Sequence, residues 1–211
     1  DKERIMDYDK QLIAGKLRRW EKFIDEYTLP DWDDIPDLGL YMEQVISLLI
    51  EYLDYMPPEL KEEQFITAAA INNYVRKKIM PEPVNKKYYR THIVYLIMIC
   101  SLKQSLSIST LQSFIPMGIS EEELRNIYTS YVKRHALATK FFSEQVRIAA
   151  GGILDHDEDS ELSSDQTSDL IAFVAVISGL SRLLAEKLLL LKGKTLENGG
   201  SIEIVHPSAK K

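Results

Sequence analysis

FITAAAINNYVRKKIMPEPVNKKYYRTHIVYLIMICSLKQSLSISTLQSFI, residues 65–115, decides how the chain is organised. Thr67 is placed to cap a helix, because its hydroxyl can accept from a free first-turn N–H. The pattern then predicts a helix over 68–78 that closes in Arg76-Lys77-Lys78. Pro81 and Pro83 forbid its continuation, and residues before prolines favour extended backbone. MPEPVNKKYY, residues 80–89, therefore reads as an extended excursion or small hairpin carrying Lys86 and Lys87. The next helix, 90–104, is apolar almost all round, which implies burial on several sides. A shorter helix at 108–115 is ended by Pro116 and Gly118.

Working outward, Ile13, Leu17, Trp20, Ile24 and Tyr27 recur at helical spacing and predict a helix over 3–27. The acidic connector LPDWDDIPD ends it, and a second amphipathic helix over 40–55 stops at Pro57-Pro58. Downstream, Ser120 and Glu123 form a capping-box pattern ahead of a helix to about Ala150. Such a helix is roughly 45 Å long at 1.5 Å per residue. Gly151-Gly152 terminates it, and the acid-rich, serine-containing segment 155–169 reads as a solvated loop. A last helix over 166–192 ends at Gly193, and Asn198-Gly199 gives a hairpin signal in the tail. The expected class is mostly α.

Composition narrows the functional classes. The 211 residues are 45% hydrophobic and 27% charged, as in ordinary soluble globular proteins. The single cysteine, Cys100, lies within HIVYLIMICSL, so no disulfide framework or cysteine metal site forms within one chain and the residue reads as a buried small hydrophobe. The first residues, DKERIMDYDK, lack the apolar core of a signal peptide. Residues 170–191 are the most apolar stretch, but Arg182, Glu186 and Lys187 interrupt it short of a bilayer span. A cytoplasmic protein with no membrane partner is expected. His92, His135, His156 and His206 have no metal-ligand spacing, and His135 reads as a satisfied packing residue. No phosphate-cradling loop or nucleophile motif occurs. The expectation is no catalytic residue, no metal and no cofactor.

Charge points elsewhere. Between Phe65 and Tyr95 six Lys/Arg face one acid, Glu82, about +5 in a chain of net −6. A basic island in an acidic chain is a localised electrostatic feature of the kind nucleic-acid binding requires. On helix 68–78, Asn72 and Asn73 offer amides suited to adenine edges. Arg76 suits guanine or phosphate, and Lys77 and Lys78 suit phosphate. Lys86 and Lys87 on the excursion reach toward the backbone or minor groove. Tyr88 or Tyr89 can donate to a phosphate, and Arg90 opens the next helix.

The order of a recognition helix, a proline-containing wing, a basic pair with tyrosine, and two further helices resembles the winged-helix domain of MerR-type transcription regulators. Lys86, Lys87 and Tyr88 match the basic pair and tyrosine that end the wing, and Ile93 matches an apolar position beyond them. Ile71 and Tyr74 match the outer positions of the family's Leu-Arg-Tyr-Tyr motif, with Asn72 and Asn73 between them. The segments LPDWDDIPDLGLYMEQVISLL, ITAAAINNYVRKKIMPEP and KKYYRTHIVYLIMICSLKQ are similar to a YkrK-type family of uncharacterised bacterial proteins. That likeness covers roughly Trp20–Ile115. The resemblance implies a MerR-like winged helix-turn-helix domain at 39–118. An N-terminal helix and acidic connector at 1–38 precede it, and a helical dimerisation or sensing region at 119–211 follows.

The expected function is a bacterial, sequence-specific regulator binding double-stranded DNA as a homodimer. The alternative is a protein-interaction or scaffold module on the same fold that does not bind DNA. The helices at 120–150 and 166–192 are the expected dimer contact, because the second is apolar around most of its circumference. The intramolecular alternative is that helix 3–27 covers it through Leu17, Trp20 and Ile24.

Overall fold

A helix with no polar side organises the molecule. The structure, a computed structural model, describes residues 8–56, 65–150 and 163–202, and among them seven α-helices carry the chain. They are α1 (Lys10–Glu26), α2 (Met42–Tyr52), α3 (Ala68–Arg76), α4 (Arg90–Leu102), α5 (Ile108–Phe114), α6 (Glu121–Ala150) and α7 (Ser164–Leu190), with a 3-10 turn at Trp32–Asp34. Every side chain of α4 from His92 to Cys100 is buried. Helices α2 and α6 pack directly against it, and α3 packs on α2. The resulting core runs from Leu29 and Trp32 in the connector to Leu124, Tyr128 and Val132 on the first half of α6. Buried residues therefore extend on both sides of the 39–118 span.

Tyrosines tie the loops to this core. Tyr74 donates to the Phe65 carbonyl at 3.1 Å, Tyr95 to Pro116 at 2.8 Å, Tyr128 to Pro30 at 2.8 Å, and Tyr27 to Tyr52. In each case a buried or, for Tyr27, half-buried ring supplies apolar area while its hydroxyl donates to a main-chain carbonyl. Tyr95 and Tyr128 thereby fix the turn before α6 and the entry to the connector.

A second, smaller core joins α1, the far half of α6 and the start of α7. Ala14, Val146 and Ala150 are buried there, with Ile13, Leu17, Phe142, Leu170 and Val174 packed around them. The Arg147 guanidinium on α6 reaches Glu21 and Asp25 on α1, and Glu21 is itself buried. Trp20 meets Phe142 edge-on at 5.9 Å. Helix α1 thus lies along α6. Leu17 joins the small core that Leu170 and Val174 share, but Trp20 and Ile24 turn to α6, and most of α7 stays uncovered.

Helix ends follow local chemistry. Asp9, Thr67, Ser107 and Ser163 each accept from a first-turn N–H, and Ser120 and Glu123 bond reciprocally at 2.8 and 3.2 Å. Three expectations need correction. The helix expected to reach residue 78 ends at Arg76, because Lys78 takes a left-handed backbone with φ of 55°. The acidic loop expected over 155–169 is already helical from Ser164, where the Ser163–Gln166 box starts α7. The tail hairpin is replaced at 195–199 by a turn in which Gly199 N–H donates to the Thr195 carbonyl at 2.7 Å. The downstream arm from residue 203, the Gly151-Gly152 stop, loop residues 155–162 and helix residues 3–7 lie outside the described residues.

Burial sets a pH response. It pushes the Cys100 thiol up to about 12, and it raises Tyr27, Tyr74, Tyr128 and Tyr131 well above the ordinary phenol. The unfolded chain releases these protons first, so stability is full below the ordinary thiol value near 9 and falls as pH rises above it. Urea titrations at pH 7 and pH 10 should show the loss, with Cys100 alone contributing about 1 kcal/mol. Equal midpoints at the two pH values would contradict the burial of these groups.

Candidate nucleic-acid interface

Helix α3 turns Ile71 and Tyr74 into the core and leaves Asn72 and Arg76 on the exposed side. Its end is a Schellman arrangement. Ile79 N–H donates to the Tyr74 carbonyl at 3.2 Å, and Lys78 N–H donates to Val75 at 2.9 Å. The left-handed residue of that motif is usually glycine; here it is Lys78. The substitution costs backbone strain and keeps a cation at the helix C-terminus, where the dipole favours it. Buried Ile79 and Met80 then anchor the chain before Pro81.

Residues 84–87 form a two-residue hairpin turn. Val84 and Lys87 exchange N–H···O bonds at 3.0 Å, and the central Asn85 and Lys86 have φ of 51° and 62°. Positive φ at both central positions marks a type I′ turn. Asn tolerates this conformation well; Lys86 does so less well and points its side chain to solvent. The base of the turn is held twice. Tyr88 and Leu40 exchange backbone bonds at 2.8 and 2.9 Å, joining the excursion to the approach of α2. The His92 ring accepts from Tyr89 N–H through Nδ1 at 3.0 Å, and its Nε2 meets the Glu82 carbonyl at 2.9 Å. A backbone N–H can only donate, so Nε2 carries the proton and the imidazole clamps both limbs in one tautomer.

The residues singled out in the sequence divide into two groups. Asn72, Arg76, Lys77, Lys78 and Lys86 are exposed, and among the described residues Lys77, Lys78 and Lys86 form no ion pair. Arg76 leans on its own helix, donating from Nη2 to Asn73 Oδ1 at 2.8 Å, so the half-buried Asn73 is occupied. Lys87 lays its stem on Gly39 and sets its ammonium 5.4 Å from the centre of the Tyr41 ring. Tyr89 is half-buried. Two of the residues are also engaged within the fold. Tyr88 is 3% exposed as a residue, and its ring packs on His92. Arg90 donates from Nε to the Ile35 carbonyl at 2.7 Å and stacks its guanidinium over Trp32, so it ties the connector to α4.

Acids do not close over the exposed cations in the described part of the connector. Asp33 pairs instead with Arg125 on α6 at 2.6 Å. The described residues contain no group of three or more His, Cys, Asp or Glu side chains arranged for a metal.

Sequence reasoning missed His92, Gly39 and the strain at Lys78. A β-carbon on Gly39 would come within 2.7 Å of the Lys87 side chain and 3.1 Å of the Tyr89 hydroxyl, which is why the smallest residue stands there. His92 gave no metal-ligand spacing and stood three residues after Tyr89, where a capping box ordinarily has Glu or Gln. Nothing local marks its second bond to Glu82.

Residues 30–133 match the model of a family described as a domain of unknown function, DUF1836. The matched stretch ends on α6 beside Val132, where the main core ends. No curated protein and no solved structure matches the chain.

His92→Leu should keep the volume and remove both clamping bonds, leaving the Tyr89 N–H and Glu82 carbonyl unpaired. Urea unfolding should show a loss of about 1–3 kcal/mol per group left buried and unpaired. Amide exchange should accelerate first at Lys87 and Tyr88; unchanged protection there would show that the ring does not hold the turn.

Proposed function

We propose that the chain is a sequence-specific DNA-binding transcription regulator, with α3 as recognition helix and residues 80–89 as the wing of a MerR-like winged-helix domain. The observation that carries this reading is the exposed, unpaired set Lys77, Lys78 and Lys86, held on a helix end and a type I′ turn with defined backbone positions. Cations fixed on a rigid frame neutralise phosphates at small entropic cost, and they do so within an acidic chain whose remainder repels non-specific association. Asn72 and Arg76 are four apart on the exposed side of α3, where two side chains can enter one groove. Such a protein works in the cytoplasm, where its DNA is.

A second reading, a winged-fold module that binds protein and not DNA, is favoured by one observation. Asn73, Lys87 and Arg90 are used inside the chain, which leaves few free base-reading groups. Salt dependence separates the two. Titration of wild type and Lys86→Ala against one duplex at several salt concentrations should lower the slope of log affinity against log salt by about 0.9 for the one lost phosphate contact. Lys87→Ala should change the slope less, because its ammonium already faces Tyr41. An unchanged slope in Lys86→Ala sinks the wing assignment, and absence of binding to any duplex at low salt leaves the protein-binding module.

We further propose a homodimer through α7. Along that helix Phe173, Val176, Leu180, Leu183 and Leu190 recur at intervals of three, four or seven residues. Val176, Leu180, Leu183 and Leu190 are 60, 59, 56 and 76% exposed. Only Thr167 of α7 is fully buried. By length and apolarity alone the helix could also cross a membrane, but Asp169 and Arg182 bracket the uncharged stretch 170–181. An alternating three-and-four apolar stripe is the seam two helices bury against each other, and a two-fold pair places two recognition helices on one duplex. Sedimentation equilibrium at micromolar concentration should give twice the mass of the chain, and Val176→Glu with Leu183→Glu should give a folded monomer. A monomeric wild type would refute the dimer.

A further inference from the structure

The outer side of α7 is ordered symmetrically about its middle, with charges of opposite sign at the two ends. At the three-and-four spacing of the apolar stripe the chain reads Asp169, Phe173, Val176, Leu180, Leu183 and Lys187. These positions stand in pairs about Ser178: Val176 with Leu180, Phe173 with Leu183, and Asp169 with Lys187. All of them are exposed, and among the described residues neither Asp169 nor Lys187 forms an ion pair. The side that α7 turns to its own chain is a different one, marked by Leu170, Val174 and Ala185.

This order restricts how a second copy can lie on the stripe. Two α7 helices running in the same direction would set Asp169 against the partner's Asp169 and Lys187 against the partner's Lys187, and like charges across an interface repel. Two helices running in opposite directions about a two-fold axis at Ser178 set Asp169 against the partner's Lys187 at both ends. Between those ends Phe173 meets the partner's Leu183, and Val176 meets the partner's Leu180. Both arrangements bury the apolar stripe, but only the opposed one pairs its charges.

A second observation lies at the same centre. Gly179, beside Ser178, stands in the interior of a 27-residue helix. Glycine is a poorer helix former there than alanine. A β-carbon on Gly179 would meet no atom of its own chain within 4 Å, so packing inside the chain gives no reason for it. Close approach of a second backbone at the two-fold axis does.

We infer that two copies of this chain pair through α7 in opposite directions, in a register centred on Ser178 and closed at each end by Asp169 on the partner's Lys187. The inference rests on the homodimer reading and adds its direction and register. It also sets a distance. Gln112 on α5 donates to the Lys77 carbonyl at the end of α3, and Lys192, just beyond α7, donates to the Ser113 carbonyl on α5. The basic end of α3 is thereby tied to the C-terminal end of α7. In the opposed pair the two Leu190 positions are about 36 Å apart along the axes, at 1.5 Å per residue. Half-sites one turn apart on a duplex are about 34–36 Å apart. A same-direction pair would instead bring those two ends together.

The test reads charge and direction separately on the full chain. Sedimentation equilibrium gives the dimer constant for wild type, for Asp169→Lys, and for Asp169→Lys with Lys187→Asp. The single reversal creates two like-charge contacts and should weaken the dimer about tenfold or more. The double reversal exchanges the charges and should restore it. Gly179→Leu should weaken the dimer about tenfold although leucine is the better helix former. Direction is read by nitroxide distances at Ser168→Cys and Arg182→Cys, which are two heptads apart on one side of α7, with Cys100 buried away from the label. Along opposed helices these labels are offset by about 30 Å and about 12 Å, so the first pair should be clearly the more distant. Equal separations at the two positions overturn the direction and leave the dimer standing. An unchanged constant in Asp169→Lys, or no recovery in the double variant, overturns the charge pairing, and an unchanged constant in Gly179→Leu overturns the close approach. A monomeric wild type overturns the homodimer and this inference together, and flotation of that monomer with phosphatidylcholine vesicles would assign the stripe to a lipid surface.

Discussion

Helix α4 offers water nothing, and the rest of the domain is arranged by that constraint. From His92 to Cys100 each side chain must be covered, so at least three directions around one cylinder need apolar partners. The first half of α6 and α2 take two of them. The connector, too short and acidic to make a helix of its own, is drawn in by Trp32 and Ile35 and by Arg90 reaching to the Ile35 carbonyl. The excursion after α3 is drawn in by His92. A helix enclosed in this way cannot slide or rotate without exposing apolar surface at about 25 cal/mol per Å². Whatever is attached to its first turn is consequently placed with the accuracy of the core.

Much of this was legible in the chain and some was not, for reasons that differ by residue. Apolar periodicity located the helices, because burial is a property of whole faces and survives any single substitution. The capping residues Thr67, Ser120 and Glu123 were legible because their bonds are local. The hairpin turn was legible only as a choice between extended chain and hairpin, since Asn85 signals positive φ and Lys86 does not. Tyr88 and Arg90 were assigned to a ligand because a tyrosine and an arginine beside a basic pair look alike whether they face out or in. The partners that the fold gives them, Leu40 for the Tyr88 backbone and Ile35 for Arg90 Nε, lie about fifty residues away, a separation that no spacing rule reads. His92 was passed over for the same reason.

The basic window shows how one residue type serves two purposes. Arg90 over Trp32 and Lys87 over Tyr41 use their charge against ring faces, and Lys103 does the same over Phe65 and Tyr74. These cations hold the frame together. Lys78 and Lys86 differ: they sit at positive φ, a conformation that glycine adopts with less strain. Two lysines at positive φ thus stand beside two lysines and an arginine whose charge is set against ring faces.

Helix α6 belongs to both cores: Leu124, Tyr128 and Val132 sit in the first, Val146 and Ala150 in the second, with no break between them. A rod of thirty residues is about 45 Å long. Seated at one end in a large, closely filled bearing and at the other in a small one, it behaves as a lever whose loose end is the far one. A tilt of five degrees about Tyr128 would carry that end through about 3 Å, since some 33 Å of helix separates them at 1.5 Å per residue. A displacement at the α1 side therefore reaches the α4 enclosure as a smaller one, whereas a small rotation in the enclosure sweeps α1 and the start of α7 through a larger distance.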